Sequence, residues 1–463
     1  YRAKFKHFAE KNLKGDKMKE FDAIVIGAGI SGAALFYELA KYTDIKRIAL
    51  LEKYNAPATL NSRASSNSQT IHCGDIETNY TFEKAKSVKI NADMVVKYAL
   101  NEQKKGKVFA YSHQKMALAV GDEECAYMKQ RFEKFKELYP YVEFWDKKEL
   151  KKLEPKVVLG KDGKDRAENV VAMGAPQGKS YTTIDFGAMS ENLIANALAA
   201  KSTAQAFFNQ EVCKIEQKDG VFHLFTKTYE EFVAKAVVVN AGGHSLYLAH
   251  KMGVGLDKSC WPVAGSFYIT KQKLLRGKVY TVQNPKLPFA AIHGDPDLLA
   301  NLNTRFGPTA LVIPKLERYH GLKSVPEFFE ALKFDSKVAK ITLGMLKDST
   351  VRNYIFYNYF FEVPFINKRL FAKSVQKIVP SLSAADIDYA AGFGGVRPQV
   401  VDKAAGALLF GEASITEIKG IIFNMTPSPG ATSCLGNAKK DAQSVCKYLN
   451  AKFDEDKFKN DLL

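Results

Sequence analysis

The sequence has no apolar run that approaches the roughly 18 consecutive residues needed to cross a bilayer, and its first residues lack the apolar core of a signal peptide. Its six cysteines are scattered without CxxC pairs or metal-ligand spacing. This pattern argues against a disulfide framework and a zinc site, and it is typical of a reducing compartment. We therefore expect a cytoplasmic protein without a metal, either soluble or peripheral on a membrane.

Length and charge narrow the class of protein further. A chain of 463 residues with 46% hydrophobic composition is too long for one ordinary core and has enough apolar material for two globular domains. The surplus of 17 positive charges predicts an anionic partner, which could be nucleic acid, an acidic membrane face or an anionic substrate. We expect residues 1–20 to be an extension with little part in the fold.

A nucleotide-binding pattern opens the chain. Residues 21–26 are an apolar run, residues 31–42 have helical periodicity, and residues 47–52 are apolar again, which predicts a β-α-β unit. The turn between the first strand and the helix reads GAGISG and matches GxGxxG, whose glycines allow a tight turn and close approach of a pyrophosphate. An acid at the end of the second strand suits ribose hydroxyls. The predicted cofactor contacts here are Gly27, Gly29, Ser31, Gly32, Glu52 and Lys53.

This motif leaves NAD and FAD open, and two distant segments favour FAD. Residues 236–243 read as a buried strand that ends in small residues, although any parallel strand could have this pattern. Residues 427–432, PSPGAT, open the last helix, where a rigid turn, a glycine and free N–H groups suit a flat ring that gains negative charge on reduction. The predicted contacts are Ala241, Gly242, Gly430, Ala431 and Thr432.

Separated motifs resemble those of the malate:quinone oxidoreductases, within the D-amino-acid-oxidase-like flavoproteins that include L-2-hydroxyglutarate dehydrogenase. Residues 67–72 (NSQTIH) and 77–81 (ETNYT) resemble the family's Gly-His segment ending in ELNYT, and residues 289–295 and 305–310 resemble its PHLD and FGP elements. The most specific match is SPGA at residues 428–431. Two departures are Gln69, where relatives have glycine, and the missing leucine between His293 and Asp295. The resemblance adds Asn67, Ser68, Gln69 and Thr70 to the cofactor contacts.

The resemblance and the patterns together predict an α/β flavoprotein of two domains. A Rossmann-like domain would bind FAD without a covalent bond and comprise residues 21–90, 178–258 and 390–450. A substrate domain with a mixed or antiparallel sheet and added helices would comprise residues 91–177 and 259–389.

Oxidation of a secondary alcohol by flavin requires a base for the hydroxyl proton, and histidine suits this role near neutral pH. We take His293 as the first candidate, because Asp295 is near enough in sequence to orient it and because the resemblance places this element over the flavin. His72 is the second candidate. Without the resemblance, either histidine could equally be one whose hydrogen bonds are satisfied within the core or a loop.

Arg397, in the segment GGVRP, resembles the arginine that binds the substrate carboxylate in amino-acid oxidases, where a planar guanidinium matches a carboxylate. A surface turn is the alternative explanation of an arginine beside a proline. A dicarboxylate requires a second cation or donor, and the candidates are Lys286, Arg305 and Tyr80.

The resemblance implies oxidation of L-malate to oxaloacetate, with a membrane quinone as the electron acceptor and the inner face of the cell membrane as the location. The aromatic segment 354–361, followed by Lys368, Arg369 and Lys373, suits the interface of an anionic bilayer, although core packing explains it as well. Another 2-hydroxy acid, such as 2-hydroxyglutarate or lactate, is the alternative substrate. A nucleic-acid-binding flavoprotein is the weaker alternative, since no common recognition module is present, and we expect no nucleic-acid partner.

Overall fold

The computed structural model describes residues 19–284, 287, 291–409, 411–427 and 429–463. Residues 1–18 of the predicted extension and Lys286, a predicted substrate contact, lie outside the described residues, as does Ser428 of the SPGA motif.

The described residues form twelve α-helices and twenty-two strands. The helices are α1 (Ile30–Tyr42), α2 (Phe82–Gln103), α3 (Asp122–Phe135), α4 (Lys147–Leu153), α5 (Phe186–Ala200), α6 (Gly243–Lys251), α7 (Val325–Leu332), α8 (Ser336–Lys347), α9 (Ser349–Phe360), α10 (Asn367–Val375), α11 (Cys434–Leu449) and α12 (Glu455–Leu462). The strands are β1 (Lys19–Ile26), β2 (Ile48–Leu51), β3 (Ala110–Tyr111), β4 (Lys115–Val120), β5 (Glu143–Trp145), β6 (Val170–Ala175), β7 (Thr183–Ile184), β8 (Ala204–Phe207), β9 (Val212–Lys218), β10 (Val221–Thr226), β11 (Glu231–Val239), β12 (Lys258–Ala264), β13 (Tyr268–Thr270), β14 (Lys278–Thr281), β15 (His293–Pro296), β16 (Thr304–Gly307), β17 (Leu311–Val312), β18 (Ile387–Tyr389), β19 (Val396–Asp402), β20 (Ala407–Leu408), β21 (Ala413–Ile415) and β22 (Ile421–Met425).

The first sheet has the parallel core of a Rossmann-like domain. Its strands follow the order β21, β22, β11, β1, β2, β8, and the pairs β22/β11, β11/β1, β1/β2 and β2/β8 are all parallel. Apolar residues cover both of its faces, since α1, α5 and α11 pack on one side and α6 on the other. The strands are apolar almost throughout for this reason, because a parallel sheet covered on both faces buries every side chain.

The turn from β1 to α1 depends on its glycines. Gly27 has φ of +102°, a conformation that residues with a side chain rarely adopt. A Cβ atom on Gly32 would lie 1.8 Å from the backbone oxygen of Gly27. The helix can therefore begin directly against the strand, which brings its N-terminus to the carboxyl edge of the sheet.

The described residues form three further sheets, of which the smallest pairs only β3 with β7. An eight-stranded mixed sheet has the order β18, β13, β16, β15, β14, β4, β6, β5, and a four-stranded sheet has the order β17, β12, β19, β20. Helices α7 to α10 lie between β17 and β18 in sequence, and α7 packs on α6 and β12. The two-domain α/β architecture predicted from the sequence is confirmed.

The exact domain boundaries stay a prediction. The sheets agree with the predicted ranges except at one strand. The strands of the first sheet fall within or just before the ranges proposed for FAD binding, and those of the eight-stranded sheet fall within the ranges proposed for the substrate domain. Strand β19, which carries Arg397 and was assigned to FAD binding, instead pairs with β12 in the four-stranded sheet. The substrate-side arginine therefore reaches the cavity from outside the Rossmann-like sheet.

Across the described ranges, no helix combines the length and the apolar character that a membrane crossing requires.

Candidate active site

A cavity of about 260 Å³ lies at the carboxyl edge of the parallel strands. Crevices at this edge are the usual ligand sites of open α/β sheets. Most of the predicted cofactor contacts line it, namely Gly27, Gly29, Ser31, Glu52, Lys53, Asn67, Ser68, Thr70, Ala241, Gly242, Gly430 and Ala431. Three predicted contacts lie behind this wall: Gly32 packs against the β1 turn, Gln69 is fully buried, and the Thr432 hydroxyl accepts the backbone N–H of His72.

One end of the cavity has the features of a nucleoside site. Glu52 follows β2 and is 8% exposed, and its two carboxylate oxygens accept the backbone N–H groups of Ala28 and Tyr54 at 2.7 and 3.0 Å. Burial raises the pKa of Glu52, and these N–H donors oppose that shift. An acid held at this place can accept hydrogen bonds from ribose hydroxyls and disfavours a 2′-phosphate.

Residues from the helical region complete this end of the cavity. His244 lines the cavity, and its Nε2 lies 2.9 Å from Oε2 of Glu327, on α7. Lys53 pairs with the carboxylate of Glu317, which also accepts the Tyr54 hydroxyl at 2.6 Å. Part of the cofactor wall is therefore supplied by the segment that precedes and includes α7.

The loop that follows β2 contributes contacts that the sequence did not reveal. The Ser62 hydroxyl accepts the backbone N–H of Ile30 at 2.9 Å, at the start of α1. The Asn61 amide accepts the N–H of Val396 and donates to its carbonyl, at 2.9 and 2.8 Å. Both residues lie in irregular loop sequence, where no spacing rule identifies partners that are 32 residues away, for Ser62, or 335 residues away, for Asn61. Asn61 thereby joins the cofactor loop to the strand that carries Arg397.

At the opposite end of the cavity, His72 has the geometry of a general base. Its Nδ1 lies 2.8 Å from Oε1 of Glu77, and the other Glu77 oxygen accepts the backbone N–H of Gly74 at 2.8 Å. Burial alone would raise the pKa of Glu77, but the bond to His72 and the nearby Lys115 hold that pKa below its ordinary value. If Nδ1–H donates to Glu77, Nε2 carries the ring's free lone pair, and the residue lines the cavity. Glu77 lies in the ETNYT segment, but nothing in the sequence indicates that it pairs with His72.

Arg397 also lines this end of the cavity. Burial lowers its pKa, and only two tyrosines, Tyr354 and Tyr280, act against that shift. Within the described part of the chain, no carboxylate pairs with its guanidinium. A half-buried arginine on the cavity wall that no carboxylate of the described residues neutralises is suited to bind an anionic ligand.

The other predicted chemical residues are not on the cavity wall. His293 is 2% exposed, its ring stacks on Tyr280 at 4.0 Å, and its nitrogens face the Ala291 carbonyl and Asp295 at 3.2 and 3.3 Å. Arg305 is fully buried and pairs with Asp297 at 3.0 Å. Tyr80 packs in the apolar cluster around Phe135 and Tyr139. The structure thus brings His72 and Arg397 together and places His293, Asp295, Arg305 and Tyr80 elsewhere.

The residues present fit FAD. Gly27 and Gly430 line the cavity, and neither could carry a Cβ atom, which would lie 2.5 Å from the carbonyl oxygen of Asn240 or 2.7 Å from that of Thr426. The buried acid Glu52 lines the nucleoside end. Gly430, His72 and Arg397 line the same cavity, so a flat ring bound at Gly430 would share it with an imidazole and a guanidinium. The fold and this cavity define an FAD-dependent oxidoreductase of two domains.

Comparison with known proteins identifies the family. The family model for malate:quinone oxidoreductase matches residues 19–438, and the chain belongs to this family. It is 69% identical to a probable malate:quinone oxidoreductase of Campylobacter jejuni, over 96% of this chain and 99% of that protein. It is 51% identical to the malate:quinone oxidoreductase of Helicobacter pylori, over 96% and 98% of the two chains. The resemblance noted in the sequence is confirmed.

Solved structures agree on the fold. The L-α-glycerophosphate oxidase of Mycoplasma pneumoniae, a structure with FAD bound, superposes with a TM-score of 0.66 at 21% identity and covers 94% of this chain and 96% of its own. The glycine oxidase of Geobacillus kaustophilus superposes with a TM-score of 0.63 at 18% identity, covering 93% and 95% of the two chains.

Proposed function

We propose that this protein oxidises L-malate to oxaloacetate with bound FAD and passes the electrons to a quinone. The observation that carries the proposal is family membership over nearly the whole chain, together with a base and an unpaired arginine at one end of the cofactor cavity. The roles of individual residues below are part of the proposal.

Arg397 would bind the carboxylate beside the hydroxyl-bearing carbon and orient the substrate. His72 would accept the hydroxyl proton at Nε2, and the Glu77 carboxylate would stabilise the resulting imidazolium through Nδ1–H. FAD, when bound, supplies the acceptor for the hydride that leaves the same carbon. The proton and the hydride therefore leave malate in different directions, toward the histidine and the cofactor, and oxaloacetate remains.

Anaerobic reduction tests the substrate. The purified protein is mixed with L-malate, L-2-hydroxyglutarate, L-lactate or buffer, and the flavin absorbance is followed. We expect L-malate to bleach the flavin fastest. Faster bleaching by either of the other acids would contradict malate as the substrate, and a protein that stays colourless after reconstitution with excess FAD would contradict the proposal entirely.

The proposed acceptor is a membrane quinone, and we propose that helices α7 to α10 (residues 325–375, the helical lobe) contact an anionic bilayer at the inner face of the cell membrane. The lobe exposes large apolar side chains, among them Phe334 at 66%, Leu343 at 61%, Phe356 at 55% and Phe365 at 96%. Apolar groups that insert and cations that meet anionic headgroups are the two usual contributions to peripheral binding. The exposed cations of the lobe include Lys333, Lys337, Lys340, Lys347, Arg369 and Lys373.

Vesicle sedimentation separates these contributions. We expect Phe356→Ser/Phe365→Ser to weaken binding to vesicles at every lipid charge, because it removes inserted apolar surface. Arg369→Gln/Lys373→Gln should weaken binding only to vesicles that contain anionic lipid, by about thirtyfold, since each of the two cations near the surface contributes about 1 kcal/mol.

The matched controls are Val108→Ser, at a side chain that is 54% exposed, and Lys104→Gln/Lys107→Gln beside it, at the end of α2 and outside the lobe. Equal binding by the lobe variants and these controls would reject the lobe as the membrane contact.

A further inference from the structure

A buried ion network lies beneath the loop of residues 64–70, which forms part of the cavity wall. It consists of two cations and two carboxylates, which come from the eight-stranded sheet and from the loop that follows β15. Lys278 Nζ lies 3.2 Å from Asp295, and Arg305 Nη1 lies 3.0 Å from Asp297. All four side chains are at most 2% exposed. Burial of paired charges is costly without further hydrogen bonds, so the other partners of these groups indicate their purpose.

Those other partners are backbone carbonyls of one loop. Lys278 Nζ donates to the carbonyl of Ser68 at 3.1 Å, and Arg305 Nη2 donates to that of Asn67 at 3.0 Å. Gln69, which has φ of +54°, donates to the carbonyl of Ala64 at 3.1 Å and to Asp297 at 3.3 Å. Two cations and one amide thus hold the carbonyls of this loop on the side away from the cavity.

The cavity side of the same loop consists of predicted cofactor contacts. Ser66, Asn67, Ser68 and Thr70 line the cavity. The network therefore lies directly behind the loop that forms this part of the cavity wall.

His293 belongs to this network and not to the cavity. Its Nδ1 faces the carbonyl of Ala291 and its Nε2 faces Asp295, so both nitrogens are next to oxygen acceptors and neither is directed at the cavity. Its ring stacks on Tyr280, whose hydroxyl donates to the Thr70 hydroxyl at 2.9 Å. Although burial alone would raise the pKa of Asp295, Lys278 and His293 hold it well below its ordinary value.

We infer that Lys278 is a positioning residue for the cofactor: it fixes the loop of residues 64–70 against the eight-stranded sheet and supplies positive charge beneath the isoalloxazine end of the cavity. The inference rests on the proposed binding of FAD. Positive charge near the ring favours the negative charge that the cofactor gains on reduction, so this lysine raises the midpoint potential. His293 and Asp295 then support the same loop, since Asp295 pairs with Lys278 and His293 stacks on Tyr280, which donates to Thr70.

The test compares Lys278→Met with Lys403→Met. Lys403 is a matched control because its Nζ likewise contacts one carbonyl and one carboxylate, those of Lys333 and Asp335, at 3.1 and 2.9 Å, and its side chain is 6% exposed. We expect Lys278→Met to increase amide hydrogen exchange of residues 64–70 at least tenfold in the cofactor-free protein, while β4 and β6 keep their protection. Lys403→Met should leave that loop unchanged.

The second measurement is the flavin midpoint potential, obtained by dithionite titration with a reference dye and without malate, so that it does not depend on the identity of the substrate. We expect Lys278→Met to lower the potential, Lys278→Arg to restore it, and Asp295→Asn to raise it, because that change leaves the cation uncompensated. Wild-type loop exchange and an unchanged potential in Lys278→Met would overturn the inference. If the Met variant does not fold, Lys278→Gln takes its place: we expect the same changes in loop exchange and potential, and their absence would likewise overturn the inference.

Discussion

Replacement of His72 by Asn should slow flavin reduction by L-malate about 10³-fold, while the protein still binds FAD. An asparagine amide can donate to Glu77 as the imidazole does, but it has no lone pair basic enough to accept the hydroxyl proton, and general base catalysis typically contributes 10²–10⁴-fold. The measurement is anaerobic stopped-flow bleaching at saturating malate. Dithionite should reduce the flavin of the variant as it reduces that of the native protein.

The matched comparison is His293→Ala, which removes the histidine that the sequence favoured as the base. If His72 is the base, His293→Ala should retain malate-driven reduction at a rate far above that of His72→Asn, because the residue it removes does not line the cavity. The reverse order of the two rates would return the base role to His293 and reject the assignment made from the geometry.

Replacement of Arg397 by Met should lower kcat/KM for malate by about 10²–10³-fold, because loss of one partner of a buried charge pair costs about 2–5 kcal/mol. The flavin spectrum and its reduction by dithionite should not change, since the arginine is proposed to contact the substrate alone. Steady-state turnover with a soluble quinone analogue measures the effect.

Arg397→Lys provides the graded control for this change. It keeps the charge but lacks the planar pair of donors that matches a carboxylate, so its kcat/KM should fall between those of the native protein and the Met variant. Turnover of Arg397→Met within a few-fold of the native value would show that malate binds elsewhere.

Local sequence patterns identified most of the predicted cofactor residues that line the cavity, and their role as cofactor contacts stays a prediction. The GxGxxG turn and the acid after β2 are neighbours in sequence, and the physics that requires them is local: a tight turn, a helix N-terminus and a strand end. The segment at residues 427–432 was recognisable for a similar reason, because a rigid turn before a helix is specified by adjacent residues. These segments line the cavity where the sequence predicted cofactor contacts.

The chemical half could not be derived in this way, because it depends on which side chains of distant strands face the cavity. His293 and His72 have equally plausible sequence surroundings, and both have an acid nearby in the chain. Only the packing shows that Asp295 and Tyr280 enclose His293, whereas His72 pairs with Glu77 through Nδ1 and lines the cavity. Arg305 likewise has the right chemistry for a dicarboxylate, but Asp297 already neutralises it.

Core packing and an exposed aromatic surface, the two explanations for the aromatic segment at residues 354–361, each apply to different residues of it. Phe361 is buried and packs on Phe371, which is the core role, while Phe356, Tyr357, Tyr359 and Phe360 are between 44% and 55% exposed. A sequence run without alternation cannot show this division, since it depends on which side chains join the apolar cluster of Tyr268 and Phe371 beside the eight-stranded sheet.

The contact between His244 and Glu327 links two regions that the sequence separates by more than 80 residues. Because α7 carries Glu327 and belongs to the helical lobe, the nucleoside end of the cavity is enclosed partly by the same body that would rest on lipid. Movement of α7 away from α6 would break this contact and widen that end of the cavity. This end of the cavity would therefore open to release the cofactor when the helical lobe moves relative to the Rossmann-like domain.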